Sequence, residues 1–401
     1  MMVAEFRLNF PFLKSNCCIA FKDHRQMSSF MLNVKLEELP MPTTDRSIDR
    51  LVGWFVESFC FVRRKGDATA DYGSASPIHR MLRDHFFSHP TRSWDAQELS
   101  DELAMTPAAL NHHLSRLSQS GLISYTNEGK GWRTYILRGG SLSRSLELCF
   151  SQYGLILEQK MDQLGLSWNR EGLALDNEIA EESPLSLNLS ITDYRPEQEG
   201  ASELTQWMAD FGLLGDRPGN ELLKNSVSEQ LFTLLLNTGN PISLDDAHDQ
   251  FGGQKARLGR ILERFRACGL VERIPRTDRL GSALWSAMVT QHQRRGEDWL
   301  LKKGGFMRLI PEKNHNALLQ PLSKGKLTIE VVQNSMQNIR ASDQMLLLNL
   351  LGGRLPLGYR LIGTSIDDSK QNITARLDRL LRRIRRVGTM IEEVLTAGDE
   401  R

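Results

Sequence analysis

The sequence predicts a mainly α fold of the α+β class, in which units of three helices followed by short strands are repeated and joined by helices. Apolar residues recur at helical spacing along most of the chain, and short alternating stretches follow some of these helices. Three helix ends also resemble one another, each with a glycine close behind the helix: LSRLSQSGLI, LERFRACGLV and LRRIRRVGTMI. Because 401 residues exceed one ordinary hydrophobic core, we expect several modules.

The clearest unit begins with the helical stretch PIHRMLRDHFFSHP. Asp95, with Glu98 three residues later, predicts a capping box at the start of a short second helix, AQELSDELA. Thr106 predicts the N-cap of a third helix, which ends at Gly121. LISYT and WRTYILR alternate in hydropathy around the turn NEGKG and predict a β-hairpin. This order of elements describes a winged helix-turn-helix, which we place at residues 46–140.

The segments at the N-terminal side of this unit carry weaker signals. Residues 1–45 predict a leader, possibly disordered, and they do not look like a signal peptide. LVGWFVESFCFV, residues 51–62, is strongly apolar but too short to cross a bilayer. We expect a buried helix or strand there, or a subunit interface.

The same order of elements recurs twice further along the chain. Residues 220–292 predict a second winged helix-turn-helix, with a basic helix stopped by Gly269 and strands at LVERI and SALWSAMV. Residues 327–396 predict a fainter third module, with a long basic helix ending at Gly388 and a strand at TMIEEVL. The sequence therefore predicts tandem winged helix-turn-helix modules joined by helices.

Two connecting segments separate the modules. Residues 141–168 predict a long helix with leucines and aromatic residues at helical spacing, a pattern that suits packing against a second subunit. Residues 169–219 predict an acidic linker with a small helix around Trp207, because residues 171–222 carry 12 Asp/Glu against 2 Lys/Arg. We therefore expect a possible dimerisation helix followed by a flexible connection.

The third helix of the first module carries the candidate DNA-binding residues. Its leucines at 110, 114 and 117 share one face and predict burial. Small or hydrogen-bonding side chains lie elsewhere on the helix and suit close approach to base edges or phosphates. The predicted contact residues are Thr106, Ala108, Asn111, His112, Ser115, Arg116 and Gln119. His113 falls near the leucine side, where we expect a hydrogen-bonded position at the edge of the core; ordinary surface and boundary roles for the two histidines remain the alternative.

Cationic residues outside this helix extend the prediction. Residues 254–279 carry 8 Lys/Arg against 3 Asp/Glu, and residues 340–388 carry 10 against 4. Helical projection points several of these arginines away from apolar stripes, where they suit phosphate and guanine contacts or, alternatively, a solvated or protein-binding face. The predicted contact residues are Lys130 and Arg133 in the wing, and Arg257, Arg260, Arg264, Arg379, Arg382 and Arg386 in the two basic helices.

ELSDELAMTPAALNHHLSRLSQSGLISYTNEGKGWRTYIL, residues 98–137, resembles the ArsR-type winged-helix repressors. The resemblance extends over about residues 77–138 and rests on the run Asn111, His112, His113, Leu114, followed by a Gly-Leu stop and a wing. It implies sequence-specific binding to double-stranded DNA as a homodimer, with the third helix in the major groove. Metal sensing is not implied, because AQELSDELA lacks the cysteines that metal-sensing members place there.

The remaining features bound the function class. The chain contains none of the phosphate-loop, dinucleotide, zinc-protease or nucleophile-elbow motifs, so we expect no enzyme, no cofactor and no metal. Five cysteines without a C-x-x-C pair favour a reducing cytoplasm, where we expect nucleoid association and no membrane contact. The predicted function is a DNA-binding transcriptional regulator. The alternatives are a winged-helix adaptor in a transcription-initiation or chromosome-organising complex, with protein partners bound through modules 2 and 3, and a small-molecule sensor.

Overall fold

The computed structural model describes residues 31–42, 45–62, 76–126, 133–169, 185–193, 199–215 and 226–399. Helices predominate, and the described strands form three small antiparallel sheets, as expected of an α+β chain. No helix among the described residues combines the length and the apolar character needed to cross a membrane.

The N-terminal half of the chain forms one unit around a three-stranded sheet of order β2-β4-β3. Its elements are β1 (Asn33–Glu37), α1 (Ile48–Ser58), α2 (Pro77–Arg80, continued by a π-helical stretch Met81–Phe87), β2 (Trp94–Asp95), α3 (Ala96–Glu102), α4 (Pro107–Gln119), β3 (Ile123–Thr126), β4 (Thr134–Leu137), a 3₁₀ turn (Arg138–Gly140) and α5 (Leu142–Gly165). The apolar segment 51–62 forms most of α1 and is largely buried in the core. The predicted helices and hairpin strands of this unit are all present.

The capping box predicted at the start of α3 is only half correct. The Asp95 carboxylate accepts a hydrogen bond from the Gln97 N–H, as an N-cap should. Glu98 is instead ion-paired with Arg92. The arginine is a stronger partner for this carboxylate than the backbone N–H that a capping box would supply.

The C-terminal half repeats this order and adds a helical insertion. Its elements are β5 (Asn188–Thr192), α6 (Glu203–Asp210), α7 (Val227–Asn237), α8 (Leu244–Phe251), α9 (Lys255–Ala267), β6 (Val271–Pro275), a 3₁₀ turn (Thr277–Arg279), α10 (Leu280–Arg295), α11 (Glu297–Lys302), α12 (Phe306–Leu309), α13 (Glu312–Ser323), α14 (Ile329–Met336), α15 (Ala341–Leu350), β7 (Leu357–Leu361) and α16 (Ile366–Asp399). We call β5–β6, β7 and α16 the C-terminal unit, and residues 276–356 the insertion.

The two units share their strand pairing. In the N-terminal unit Trp94 of β2 pairs with Tyr135 of β4, and β3 lies on the other side of β4. In the C-terminal unit Ile242 pairs with Tyr359 of β7, and β6 lies on the other side of β7. The order of the paired strands is therefore similar in the two units.

Two strands predicted for the second and third modules are wrong. SALWSAMV lies in helix α10, and TMIEEVL continues helix α16. The strand that pairs with β6 is β7, which follows the insertion. Residues 327–396 therefore form no separate third module: α14 and α15 belong to the insertion, while β7 and α16 complete the C-terminal unit.

The insertion has its own hydrophobic core. Its helices bury apolar side chains together, among them Leu284, Met288, Phe306, Leu318, Val332 and Leu347. The Trp285 indole N–H donates to the Leu327 carbonyl oxygen at 2.7 Å, and Gln291 donates to the Leu351 carbonyl oxygen at 2.9 Å. These contacts tie α10 to the later helices of the insertion, so the insertion is a packed body.

The two units meet through a pair of antiparallel strands. Strand β1 lies in the predicted leader and β5 in the predicted linker, and the two strands pair antiparallel. Asn33 and Asn188 begin the two strands; Asn33 pairs with Thr192, and Asn188 pairs reciprocally with Glu37. The strand pair therefore joins the two units within one chain.

The long helices α5 and α16 form the second part of this interface. Gly388, predicted as a helix stop, lies inside α16, where a Cβ atom would be 2.6 Å from Leu146 Cδ1. The Ser143 N–H donates to Glu392 Oε1 at 2.9 Å, and Lys370 Nζ lies 2.8 Å from Asp162 Oδ1 near the opposite end. The helix predicted to pack against a second subunit therefore packs against a helix of the same chain.

Candidate nucleic-acid interface

Helices α3 and α4 are joined by a short, well-anchored turn. Ala104 has a positive φ of 51°, which reverses the chain after α3. The Ser100 hydroxyl donates to the Met105 carbonyl oxygen at 2.7 Å. Thr106 caps α4, since its hydroxyl accepts a hydrogen bond from the Ala109 N–H at 3.4 Å. The structure thus places α4 at a fixed angle to α3, as in a helix-turn-helix.

Three buried leucines fix the rotation of α4 about its axis. Leu110, Leu114 and Leu117 are all inside the core, as the helical projection predicts. The solvent-facing residues of α4 are Pro107, Ala108, Ala109, Asn111 and His112. Ser115 and Gln119 are half-buried. The exposed surface of the N-terminal part of α4 is therefore uncharged, narrow and able to approach a duplex closely.

Arg116 occupies a different environment from the rest of the predicted contact face. Its guanidinium donates to the carbonyl oxygens of Phe61 and Cys60 at 2.6 and 2.5 Å, and it lies 5.5 Å from the centre of the Phe61 ring. These carbonyls follow the end of α1, where backbone acceptors lack helical partners and carry partial negative charge. Arg116 therefore fastens α4 to α1, and its guanidinium does not point freely outward as the projection suggested.

His113 lies at the edge of the core, but the predicted hydrogen bond is absent at its inner nitrogen. Nδ1 is buried and has no hydrogen-bond partner within the described parts of the chain. Burial, helped by the neighbouring charges of His112 and Arg116, lowers the pKa of the imidazole. His113 is therefore neutral near pH 7, whereas the adjacent His112 ring is exposed.

The histidines before α3 have structural partners. His85 is buried, with Nε2 at 2.7 Å from Glu102 Oε2 and its ring 4.6 Å from the Trp94 ring. His89 lies on the same indole at 6.0 Å. No group of three or more possible metal ligands occurs among the described residues. These side chains connect α2 to α3 and to the sheet.

Of the two cations predicted in the wing, Arg133 lies within the described residues. Arg133 is exposed, and its guanidinium lies 5.0 Å from the centre of the Tyr125 ring on the neighbouring strand. Lys130 lies outside the described residues. The base of the hairpin is closed by a 2.7 Å hydrogen bond between the hydroxyls of Thr126 and Thr134.

Helix α9 occupies in the C-terminal unit the place that α4 occupies in the N-terminal one. Arg257 and Arg260 are exposed, as predicted. Arg264 is half-buried and donates to the Leu213 carbonyl oxygen at 3.3 Å, just beyond α6. When α4 and α9 are aligned on the glycines that follow them, Arg264 coincides with Arg116. Arg116 binds α4 to the segment just after α1, and Arg264 binds α9 to the segment just after α6. The same kind of arginine contact therefore occurs in both units.

Several exposed cations were missed in the sequence. Lys255 begins α9 and pairs with Asp245 of α8 at 2.5 Å. A second group lies where α10 ends and α11 and α12 follow, and it consists of Arg294, Arg295, Lys302, Lys303 and Arg308. We call this group the basic end of the insertion. The motif RRGEDWLLKKGGFMR carried the signal, but the strand assigned to SALWSAMV concealed that these residues follow a helix.

Arg379, Arg382 and Arg386 lie exposed on α16, opposite the buried Ile373, Leu377, Leu380 and Ile384. Their outward placement agrees with the projection. Their helix, however, is not part of a helix-turn-helix; it corresponds to α5 and packs against it. Two other arginines of α16 have partners in distant parts of the chain. Arg383 lies 2.8 Å from Glu38, and Arg376 donates to the Leu185 carbonyl oxygen.

A family model described as "Bacterial regulatory protein, arsR family" matches residues 92–125, which include β2, α3, α4 and most of β3. The match agrees with the resemblance to ArsR-type proteins in the sequence. Neither the curated proteins nor the solved structures contain a match to the chain. Residues 92–125 are therefore similar to the helix-turn-helix of a family of bacterial regulatory proteins.

Proposed function

We propose that this protein is a DNA-binding transcriptional regulator in which both units are winged helices. The observation that carries the proposal is the exposed, uncharged face of α4, in a stretch that matches the arsR family model. Its buried leucines present this face outward on a rigid helix. A helix with short side chains at its exposed N-terminal part fits the width of a major groove.

Within this proposal the residues of α4 have different roles. Asn111 and His112 are exposed and offer hydrogen-bonding groups to base edges, while Ala108 allows close approach. Ser115 and Gln119 lie at the border of the face, where hydroxyl and amide groups suit phosphate contacts. Arg116 is a positioning residue because its guanidinium is bound to backbone carbonyls of the α1 end.

Cations around α4 and on α9 supply the part of the affinity that does not depend on sequence. Arg257 and Arg260 are exposed on α9, and Arg133, with Lys130, belongs to the wing. Each phosphate neutralised by such a side chain releases condensed counterions, so binding weakens as salt rises. The exposed arginines of α16 add positive surface to the same molecule.

Selection of bound sequences from a random duplex pool, followed by gel-shift titration, tests the proposal. We expect a selected motif, and we expect Asn111→Ala and His112→Ala each to lose about 1–3 kcal/mol of preference for it. Asn316→Ala, which changes an exposed helical asparagine of the insertion, is the matched control. Absence of binding to any duplex at low and moderate salt would refute the proposal.

One observation favours the adaptor as a second candidate. Met307 on the insertion is 69% exposed, and Leu346 is 42% exposed. Exposed large apolar side chains of this kind suit protein contacts. If the protein is an adaptor, His112→Ala leaves DNA behaviour intact, whereas Met307→Ser and Leu346→Ser abolish capture of a defined partner in a pull-down.

A further inference from the structure

The two units contact each other through two pairs of elements of the same chain. Strands β1 and β5 pair reciprocally, and α5 packs along α16. The apolar residues of α5 are largely covered, including Leu142, Leu146, Leu157 and Met161. Helices α4 and α9 therefore belong to one molecule whose two units contact each other through these elements.

The exposed faces of α4 and α9 are not chemically equivalent. Aligned on the glycines that follow the helices, His112 of α4 corresponds to Arg260 of α9, and Ala109 corresponds to Arg257. Pro107 corresponds to Lys255, and all of these positions are exposed. The exposed face of α4 is therefore neutral, whereas that of α9 carries the charges of Arg257 and Arg260, since Lys255 is paired with Asp245. Neutral polar groups suit base edges but bring no charge to the backbone, whereas arginines bind the phosphates of any sequence and can also contact guanine.

The segments in the wing position also differ. In the N-terminal unit β3 and β4 pair antiparallel and follow each other closely in sequence, whereas the C-terminal unit carries the insertion between β6 and β7. Arg279 at its start is bound to Asp246 of α8 at 2.5 Å, so the insertion is anchored to the unit. The 16 residues of α10 then extend about 24 Å and lead to the basic end.

The basic end of the insertion is suited to phosphates. Its five cations are exposed, and the acidic residues among them are Glu297 and Asp298. Arg295 lies over the Trp299 ring at 4.6 Å, which leaves its charge near the surface.

We infer that a single chain binds a non-palindromic duplex, with α4 reading the sequence of one half-site while α9 and the basic end hold the phosphates of the other. This inference rests on the proposed DNA-binding function. The asymmetry of the site follows from the asymmetry of the two units, since each unit meets its own half of the duplex.

The first test is stoichiometry on the selected duplex, measured by light scattering of the full chain and its complex. One chain per duplex and a motif with one conserved half are expected. Two chains per duplex on a palindromic motif would overturn the inference while leaving the DNA-binding function in place. Failure to bind any duplex would instead overturn the proposed function, and the inference with it.

The second test separates the roles of the two helices. The double variant Arg257→Ala/Arg260→Ala should weaken binding about equally on all sequences and reduce the slope of log K against log salt by about 2. The selected motif should remain unchanged. Lys324→Ala/Lys326→Ala, which removes two exposed cations elsewhere on the insertion, is the matched control. Loss of the motif in the α9 variant, with an unchanged salt slope, would contradict the assignment.

Discussion

Helices α4 and α9 have the same framework but different surfaces. Leu110, Leu114 and Leu117 of α4 correspond to Leu258, Leu262 and Phe265 of α9, and all six are buried. At the exposed positions histidine and alanine are replaced by arginine. The comparison shows that the buried pattern specifies the place of the helix in the fold, whereas the exposed pattern specifies what the helix can bind.

The largest expected effects come from the shared framework. Leu114→Ala and Leu262→Ala should each lower the free energy of unfolding by about 2–5 kcal/mol, because each removes a fully buried side chain and leaves a cavity. Denaturant titration measures both losses, and Asn111→Ala on the exposed face is the control. If Leu262→Ala lowers the free energy of unfolding by less than about 1 kcal/mol while Leu114→Ala lowers it by the expected amount, the two helices are not equivalent in the fold.

The arginine ties give the next effect and should differ between the units. Arg116→Ala should cost about 1.5–3 kcal/mol, because charge-assisted hydrogen bonds to two carbonyl oxygens are lost. Arg264→Ala should cost less, because its bond to the Leu213 carbonyl oxygen is longer, at 3.3 Å. Thermal unfolding checks both. Arg116→Lys should recover only part of the stability, since an ammonium lacks the guanidinium fork.

Two glycines on the paired long helices sharpen the comparison of α5 with α16. Gly388→Ala gains the same helix propensity as any helical glycine replaced by alanine, but its new methyl group would lie 2.6 Å from Cδ1 of the buried Leu146, which would have to shift. We therefore expect Gly388→Ala to be less stable than Gly154→Ala by about 1–3 kcal/mol. Gly154→Ala on α5 meets nothing within 4 Å and should stabilise by about 0.5–1 kcal/mol through helix propensity. Equal responses in thermal unfolding would show that the helices do not cross closely at Gly388.

Local patterns in the sequence predicted the elements around the candidate site. Helical periodicity with caps and glycine stops located α4 and α9, and alternation located β3, β4 and β6. The predicted burial of Leu110, Leu114 and Leu117 agrees with the structure. These features depend on neighbours within one or two turns of the chain, which is the range that periodicity reports.

Long-range features were missed for a physical reason. The partner of β6 is β7, separated from it by the insertion. SALWSAMV predicts a strand because a short apolar run fits a strand or a helix, but it forms part of α10. Gly388 resembles a helix stop in sequence, but its role is close packing against α5. Arg116 points outward in projection, yet its long side chain reaches carbonyls more than fifty residues earlier.

The smallest expected effect concerns His113, whose counterpart in α9 is the buried Ile261. The pKa of His113 is lowered by burial and by nearby positive charge, so the unfolded chain binds more protons than the folded chain below its ordinary value of about 6.5. The neutral imidazole of His113 therefore costs the folded chain no stability above that pH. The free energy of unfolding decreases as the pH falls from there toward the pKa of the folded chain. Water still reaches part of the ring, so the change should stay below about 1 kcal/mol.

The substitution His113→Ile places the residue of α9 in α4 and removes this titration. Denaturant titrations at pH 7.5 and 5.5 should show a smaller loss of stability on acidification for the variant than for the unaltered chain. Asn111→Ala, on the exposed face of the same helix, should keep the original pH dependence. If His113→Ile loses as much stability on acidification as the unaltered chain, other groups cause the pH dependence. The imidazole of His113 would then not make the stability of α4 more sensitive to pH than that of α9.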